Sequence, residues 1–423
     1  MKFLFDLDGT VTSEETLPII ANHFNCVEQI SELTAKTVQG NVPFIESFIR
    51  RVNILGAYSV SETTRLLSEV PLYPAIAKFI EEHKEDCVIV TGNLTCWCEG
   101  LFKKIGCQCY GSEALCEDDK VVKLKTILRK EQIVDQYKAL GETVVFIGDG
   151  NNDLEAMRHA NVSIATGLTH NPAQSLMSIC DYVIFNEQAL VRQMRQLCGE
   201  YDDEKSVVIS CAGIGSRLGL GLTKALVQIN GNSLISWQLK LFKDVKDVRI
   251  VIGFQGGEII EEVRKYRDDV IFCYNHRYFE TKTGASYYLG ARHANHETLE
   301  WDGDLLVHPD DVKKLLATSG EFICYADKKK IRIFCKKHLP NARRCDKISL
   351  GCKRLVRYKS CRPAICVDAG GCHPAIAVMG YFRGVCPILE PGEKITDSDG
   401  IRSLGREVTP LRNGRNQCSD LIC

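Results

Sequence analysis

The sequence predicts an α/β protein: a doubly wound parallel-sheet core with a small helical cap, followed by a second, Rossmann-like α/β domain. Three observations lead there. Short continuous apolar runs alternate with segments of helical period, as expected of strands buried on both faces of a parallel sheet. In the first two hundred residues each such run ends in a polar cluster, and doubly wound sheets bind ligands beyond the carboxyl ends of their strands. The strand–helix pattern then restarts after the polar segment Glu200-Tyr201-Asp202-Asp203-Glu204-Lys205. A chain of 423 residues accommodates two or three domains, at roughly 100–200 residues each.

The first strand, Phe3-Leu4-Phe5, runs into Asp6-Leu7-Asp8-Gly9-Thr10. A second, Cys87-Val88-Ile89-Val90, ends at Thr91-Gly92-Asn93. A third, Thr143-Val144-Val145-Phe146-Ile147, ends at Gly148-Asp149-Gly150-Asn151-Asn152-Asp153. Helical patterns such as Ile76-Phe79-Ile80 and Ile127-Ile133-Val134-Tyr137 separate them, so the three polar clusters should converge on one site.

The chemistry of that site follows from its residue types. Asp6, Asp8 and Asp149 offer hard oxygen ligands suited to Mg²⁺. Thr91 brings a hydroxyl and Lys130 a cation, both suited to phosphate oxygens. A carboxylate beside a metal and a phosphoryl group can act as a nucleophile, giving an aspartyl-phosphate. A second Asp two residues on can protonate the leaving oxygen and then activate water.

Asp-x-Asp-Gly-Thr, the strand-end Thr, the Lys and Gly-Asp-Gly-Asn-Asn-Asp, in this order, resemble the haloacid-dehalogenase-like phosphatases over about residues 1–200. The resemblance makes Asp6 the nucleophile and Asp8 the acid/base, with Asp6, Asp8 and Asp149 holding the metal and Asp153 supporting its shell. Thr91, Gly92, Lys130 and Asn152 then face the phosphate or substrate. Lys120, Lys123 and Lys125 lie nearby, but only Lys130 starts a helix leading into the Asp149 strand.

A block of helical periodicity at residues 14–70 is placed like the small cap of the phosphoserine phosphatase branch. Ser13-Glu14-Glu15-Thr16 and Phe44-Ile45-Glu46-Ser47-Phe48-Ile49-Arg50-Arg51-Val52 extend the similarity. By that resemblance Glu15 meets a substrate amine and Arg51 a substrate carboxylate. Asn93 stands where the branch usually has Gly, so a small zwitterionic phosphomonoester is expected rather than phosphoserine specifically. Cys96-x-Cys98 and Cys107-x-Cys109 are expected to point apart on helices and to bind no metal, lacking CxxC spacing or a partner His.

In the second module the strand Val207-Val208-Ile209 leads into Ser210-Cys211-Ala212-Gly213-Ile214-Gly215-Ser216-Arg217-Leu218-Gly219. A glycine-rich turn after a strand lets backbone N–H groups approach phosphates. With Thr223-Lys224 and Gln228-Ile229-Asn230-Gly231 this resembles the sugar-1-phosphate and phosphocholine nucleotidyltransferases. Asn275-His276-Arg277-Tyr278, Thr283-Gly284-Ala285-Ser286 and Asp302-Gly303-Asp304 continue the likeness. It implies that Ala212, Gly213, Gly215, Arg217 and Lys224 bind a nucleoside triphosphate, CTP being favoured, and that Asp304 holds Mg²⁺. Two departures stand out: Thr223 replaces a usual Pro, and His296-Glu297-Thr298-Leu299-Glu300-Trp301 lacks the apolar character of the expected strand.

Net charge is −1, which argues against a nucleic-acid or membrane-surface binder. It conceals an imbalance: residues 1–320 carry 33 Lys+Arg against 44 Asp+Glu, and residues 321–423 carry 20 against 10. Cysteine divides at the same place, 11 before and 10 after. The nucleotidyltransferase-like domain is therefore bounded at 206–320, and residues 321–423 are set apart as a basic Cys-rich tail. That tail is a divergent completion of the domain, a zinc module without knuckle spacing, or the product of a reading-frame disruption near residues 300–320, the last being favoured. Asp6 and Asp8 interrupt the apolar N-terminus before a signal sequence can form, so a cytoplasmic protein is expected. The function expected is an Mg²⁺-dependent hydrolase of a small phosphorylated metabolite, fused to a transferase of CMP or another NMP to a small phospho-alcohol. Alternatives are an inactive, regulatory second domain, or a phospho-ligand sensor.

Overall fold

Phe3, Leu4 and Phe5 have no exposed surface, and the strand they form, β1 (Lys2–Phe5), lies at the middle of the first of two units. The protein's structure, a computed structural model, describes residues 1–38, 44–215 and 221–319. Among these the chain divides into Met1–Glu200 with Asp268–His276, and Tyr201–Arg267 with residues 277–319.

In the first unit β1 is followed by four cap helices, α1 (Thr16–His23), α2 (Val27–Val38), α3 (Phe44–Leu55) and α4 (Val60–Ser68). The Ser59 hydroxyl accepts from the Glu62 amide at 3.0 Å and so starts α4, satisfying an N–H that a helix end leaves unpaired. Then come α5 (Pro74–Glu82), β2 (Cys87–Leu94), α6 (Thr95–Ile105), β3 (Gln108–Glu117), β4 (Lys120–Thr126), α7 (Lys130–Ala139) and β5 (Val144–Gly148). The unit continues through α8 (Leu154–His159), β6 (Val162–Thr166), α9 (Gln174–Met177), β7 (Tyr182–Ile184) and α10 (Glu187–Leu197).

Strand order is β7-β6-β5-β1-β2-β3-β4, parallel from β7 to β3, with β4 folded back antiparallel on β3. The segment Ile271–Tyr274 adds an antiparallel strand beside β7. Register places Phe5 opposite Ile89 and Ile147, so the residues that follow β1 and β5 emerge at one edge. β2 runs through Thr91-Gly92-Asn93 to Leu94, whereas the sequence put this cluster beyond the strand. Cys96 and Cys98 lie on α6 as expected, but Cys107 precedes β3 and Cys109 lies on it, so helix geometry does not separate that second pair.

In the second unit β8 (Ser206–Ser210) is flanked in parallel by later strands. The short β9 (Gln228–Ile229) and β10 (Asn232–Ser233) pair across Asn230-Gly231, whose φ values of 52° and 76° are those of a tight hairpin turn. Then follow α11 (Leu234–Leu241), β11 (Asp247–Ile252) and α12 (Gly256–Arg264) and, after the strand Ile271–Tyr274 (β12) that belongs to the first unit, α13 (Thr283–Ala291), β13 (Thr298–Asp302) and α14 (Pro309–Ala317). β11 and β13 lie on either side of β8.

β13 corrects the expectation for residues 296–301. Leu299 and Trp301 are fully buried, and Glu300 between them is accommodated because burial, with Asp302 nearby, pushes its carboxyl up to about 8. Asp304 lies in the turn just beyond this strand. Arg249 on β11 is completely buried. Its guanidinium donates to Asp247 at 3.1 Å and to the carbonyls of Gly290 and His293. Among the described residues no helix is long and apolar enough to cross a membrane.

Candidate active site

Four side chains from three segments meet under the carboxyl ends of β1 and β5. Lys130, at the first turn of α7 and 3% exposed, donates to Asp6 Oδ1 at 2.6 Å and to Asp153 Oδ1 at 2.5 Å. The other oxygen of Asp153 accepts from the amides of Asp149 and Gly150 at 3.1 and 3.0 Å. Oxygens of Asp6, Asp149 and Asp153 lie within 4.8 Å of one another, and all three residues are buried. Gly148 makes this closeness possible, since a Cβ there would fall 2.4 Å from Asp153 Oδ2.

The electrostatics are those of a site short of positive charge. Burial and Asp153 push Asp6 well above the usual carboxylate range, even though Lys130 opposes them. Burial raises Asp149 as well. Lys130 itself stands above its ordinary value, because Asp153 and Asp6 outweigh the burial that would lower it. Two buried carboxylates, Asp6 and Asp153, share this one ammonium. Three hard oxygen donors left with a net negative charge fit a divalent cation of the Mg²⁺ type.

Asp8 sits apart from that cluster. Its Oδ1 accepts from the Thr16 amide at the start of α1 at 2.7 Å, and its Oδ2 from Asn93 Nδ2 at 2.6 Å. Asn93 also donates to the Thr16 hydroxyl at 2.7 Å. Burial, with Glu15 adding to it, pushes Asp8 up to about 6, a value suited to passing a proton near neutrality. Thr91 is buried, and its hydroxyl accepts from the Asn93 amide at 3.2 Å. Gly92 and Asn152 are half-buried.

Glu15 and Arg51 belong to the cap. Arg51, half-buried on α3, donates to the Ser47 hydroxyl at 3.1 Å. Burial lowers its basicity while the Glu15 charge opposes that, so the two lie within electrostatic reach of each other. His170 was not foreseen. Its Nε2 stands 3.0 Å from Asp149 and 3.3 Å from Glu15, and hydrogen bonds to Asp149 and then Glu15 push it up to about 11. In the sequence Asn93 stands out only as a departure from Gly; nothing local marks it as a donor to Asp8.

In the second unit Ala212 is buried just past β8, Gly213 has open space beside it and Gly215 has a φ of +66°. Lys224 forms an ion pair with Asp304, so two of the expected nucleotide and metal residues meet. Burial and then Asp304 push Asp302 up to about 7, against Lys224. Arg217 and residues 321–423 lie outside the described residues.

The sequence matches the family model for haloacid dehalogenase-like hydrolases over residues 3–161. A second match, to a MobA-like NTP transferase domain, spans residues 207–382 and so runs past the boundary expected at 320. The chain is 27% identical to the phosphoserine phosphatase of Saccharomyces cerevisiae over 183 residues, which is 38% of this chain and 58% of that one. To the phosphoserine phosphatase of Archaeoglobus fulgidus it is 24% identical over 197 residues, 44% of this chain and 56% of the other. It thus spans a little over half the length of these relatives. A phospho-aspartyl intermediate analogue of phosphoserine phosphatase resembles the structure with a TM-score of 0.38 at 19% identity, covering 43% of this chain and 91% of that one. For a HAD family hydrolase from Salmonella enterica the TM-score is 0.41 at 22% identity, covering 45% and 69%. The chain joins an N-terminal haloacid dehalogenase-like hydrolase domain to a C-terminal MobA-like NTP transferase domain.

Proposed function

We propose that the first domain is a phosphomonoester hydrolase that works through an aspartyl-phosphate on Asp6 and takes a small zwitterionic, phosphoserine-like substrate. The observation that carries this is the buried cluster of Asp6, Asp149 and Asp153 around Lys130. Asp6 and Asp149, with the backbone carbonyl of Asp8, would hold Mg²⁺, and Asp153 would support them. Bound there, the ion would neutralise phosphate charge and favour ionised Asp6.

Asp6 attacks phosphorus while Asp8, oriented by Thr16 and Asn93, gives its proton to the leaving alkoxide. Asp8 then takes a proton from the water that attacks the acyl phosphate, which releases inorganic phosphate and restores Asp6. Lys130 and Thr91 steady the phosphoryl oxygens, with Gly92 and Asn152 at the rim. Glu15 meets the substrate ammonium and Arg51 its carboxylate. Relatives named phosphoserine phosphatases favour such a substrate.

The second domain transfers a nucleotidyl group, CMP by preference, to a small phospho-alcohol. Lys224 and Arg217 would grip the triphosphate, Ala212, Gly213 and Gly215 would surround it, and Asp304 would hold Mg²⁺. The Lys224–Asp304 pair supports this reading.

A phosphomonoester panel with Mg²⁺ on the full chain tests the hydrolase. O-Phosphoserine or a similar zwitterion should turn over fastest, and Arg51→Ala should raise KM for it more than for a substrate without a carboxylate. Equal KM changes for both would remove Arg51 from substrate recognition. No turnover of any phosphomonoester would overturn the hydrolase reading.

A further inference from the structure

At the other end of the first domain's sheet, away from the acidic cluster, His83, Cys198 and Glu200 bring an imidazole, a thiol and a carboxylate within 4.8 Å of one another. We propose that these three residues form a binding site for a zinc-class divalent metal, independent of the Mg²⁺ chemistry at Asp6. The donor set decides the metal class: sulfur and imidazole nitrogen suit a borderline-soft ion such as Zn²⁺, whereas Mg²⁺ requires oxygen.

Geometry supports it. His83 Nε2 and Glu200 Oε1 are 3.3 Å apart, about the edge of a tetrahedron with bonds of ~2.0–2.1 Å. Both side chains are held. The His83 ring stacks on Phe79, centroids 4.3 Å apart and planes 28° apart. The second oxygen of Glu200 accepts from Arg195 at 2.7 Å, the outer-shell support that fixes a ligating carboxylate.

Backbone structure brings the donors together. His83 is the C-cap of α5 and Cys198 the C-cap of α10, so two helix ends with partial negative charge face the same place. Gly199, at φ +82°, turns the chain back so that the Glu200 amide donates to the Arg195 carbonyl at 2.9 Å. Few residues other than glycine adopt that conformation readily. A water would fill the fourth position that three protein donors leave open. Coordination takes the thiolate, so the Cys198 proton passes to solvent on binding.

Without a metal, His83 and Glu200 belong to a surface ion-pair network that includes Glu82 and Arg195. Peptide-resolved alkylation of the reduced full chain separates the two readings despite its other cysteines. One equivalent of Zn²⁺ should slow iodoacetamide labelling of Cys198 by about tenfold or more, because only a free thiolate reacts. An excess of Mg²⁺ should not. His83→Gln and Glu200→Gln should each abolish the protection while leaving the circular dichroism melt in EDTA unchanged. Labelling of Cys198 at the same rate with and without Zn²⁺ would overturn the proposal. So would protection that survives in either variant, since the thiol would then be binding without its partners.

Discussion

Lys130→Met removes the one ammonium among three buried carboxylates, and its cost can be worked from the contacts. Two charge-assisted hydrogen bonds disappear, those to Asp6 and Asp153. Breaking a buried pair by deleting one partner costs about 3–5 kcal/mol, because the remaining charge is left desolvated. Protonation of Asp6, already held above its ordinary range, absorbs part of this and favours the lower end. The loss should shrink when Mg²⁺ is saturating, since a bound cation replaces the missing charge, but remain large in EDTA. Hydrogen exchange at the β1 and β5 amides of the full chain reports the stability of this domain. Lys78→Met, at an exposed i,i+4 pair with Glu82, serves as the control. Turnover of the best phosphomonoester should fall by about 10²–10³. A Lys130→Met protein within about 0.5 kcal/mol of the control in EDTA would refute the charge-deficit account of the site.

Other perturbations probe separate links. Gly148→Ala places a Cβ 2.4 Å from Asp153 Oδ2, so Asp153 must shift; kcat should fall on the order of 10²-fold, and an unchanged kcat would show that its position is immaterial. Glu300 is raised to about 8 in the fold, so its stabilising contribution is complete below its unfolded value and is lost as pH rises through about 8. Glu300→Gln should therefore raise the thermal midpoint of the second domain at pH 9 by about 5 °C or more and much less at pH 4.5; an equal shift at both would contradict this. Asp304→Asn should abolish pyrophosphate release from CTP and phosphocholine while leaving phosphomonoester hydrolysis intact. A parent protein that binds CTP but releases no pyrophosphate with any phospho-alcohol would make the second domain a regulatory module.

The α/β fold and the convergence of the first domain's motifs were legible because each motif is local. A buried strand and the polar residues that leave it are contiguous in sequence, so Asp6 and Asp149 could be placed at one sheet edge before any contact was known. Lys130 was legible for a related reason, its place at the start of a helix feeding β5. His170 was not, because it follows β6 in a loop with no motif and acquires meaning only by meeting Asp149 and Glu15. Asn93 could be seen as unusual, but its bond to Asp8 spans 85 positions. β13 is hidden in the sequence because Glu300 breaks the apolar run, and a sequence does not show that burial leaves that carboxyl neutral near pH 7. Arg249 is no more legible, since a cation in a strand normally marks an exposed position, not one satisfied by Asp247 and two carbonyls.

The most direct test of the central claim is to trap the phosphoryl-enzyme. The full chain with Mg²⁺ and ³²P-labelled O-phosphoserine, quenched in acid within one turnover and mapped by mass spectrometry, should carry phosphate on Asp6. The label should be absent from Asp6→Asn and should persist longer in Asp8→Asn, where water lacks its base. Steady turnover with phosphate found on another residue, or undiminished turnover by Asp6→Asn, would contradict the assignment of Asp6 as nucleophile.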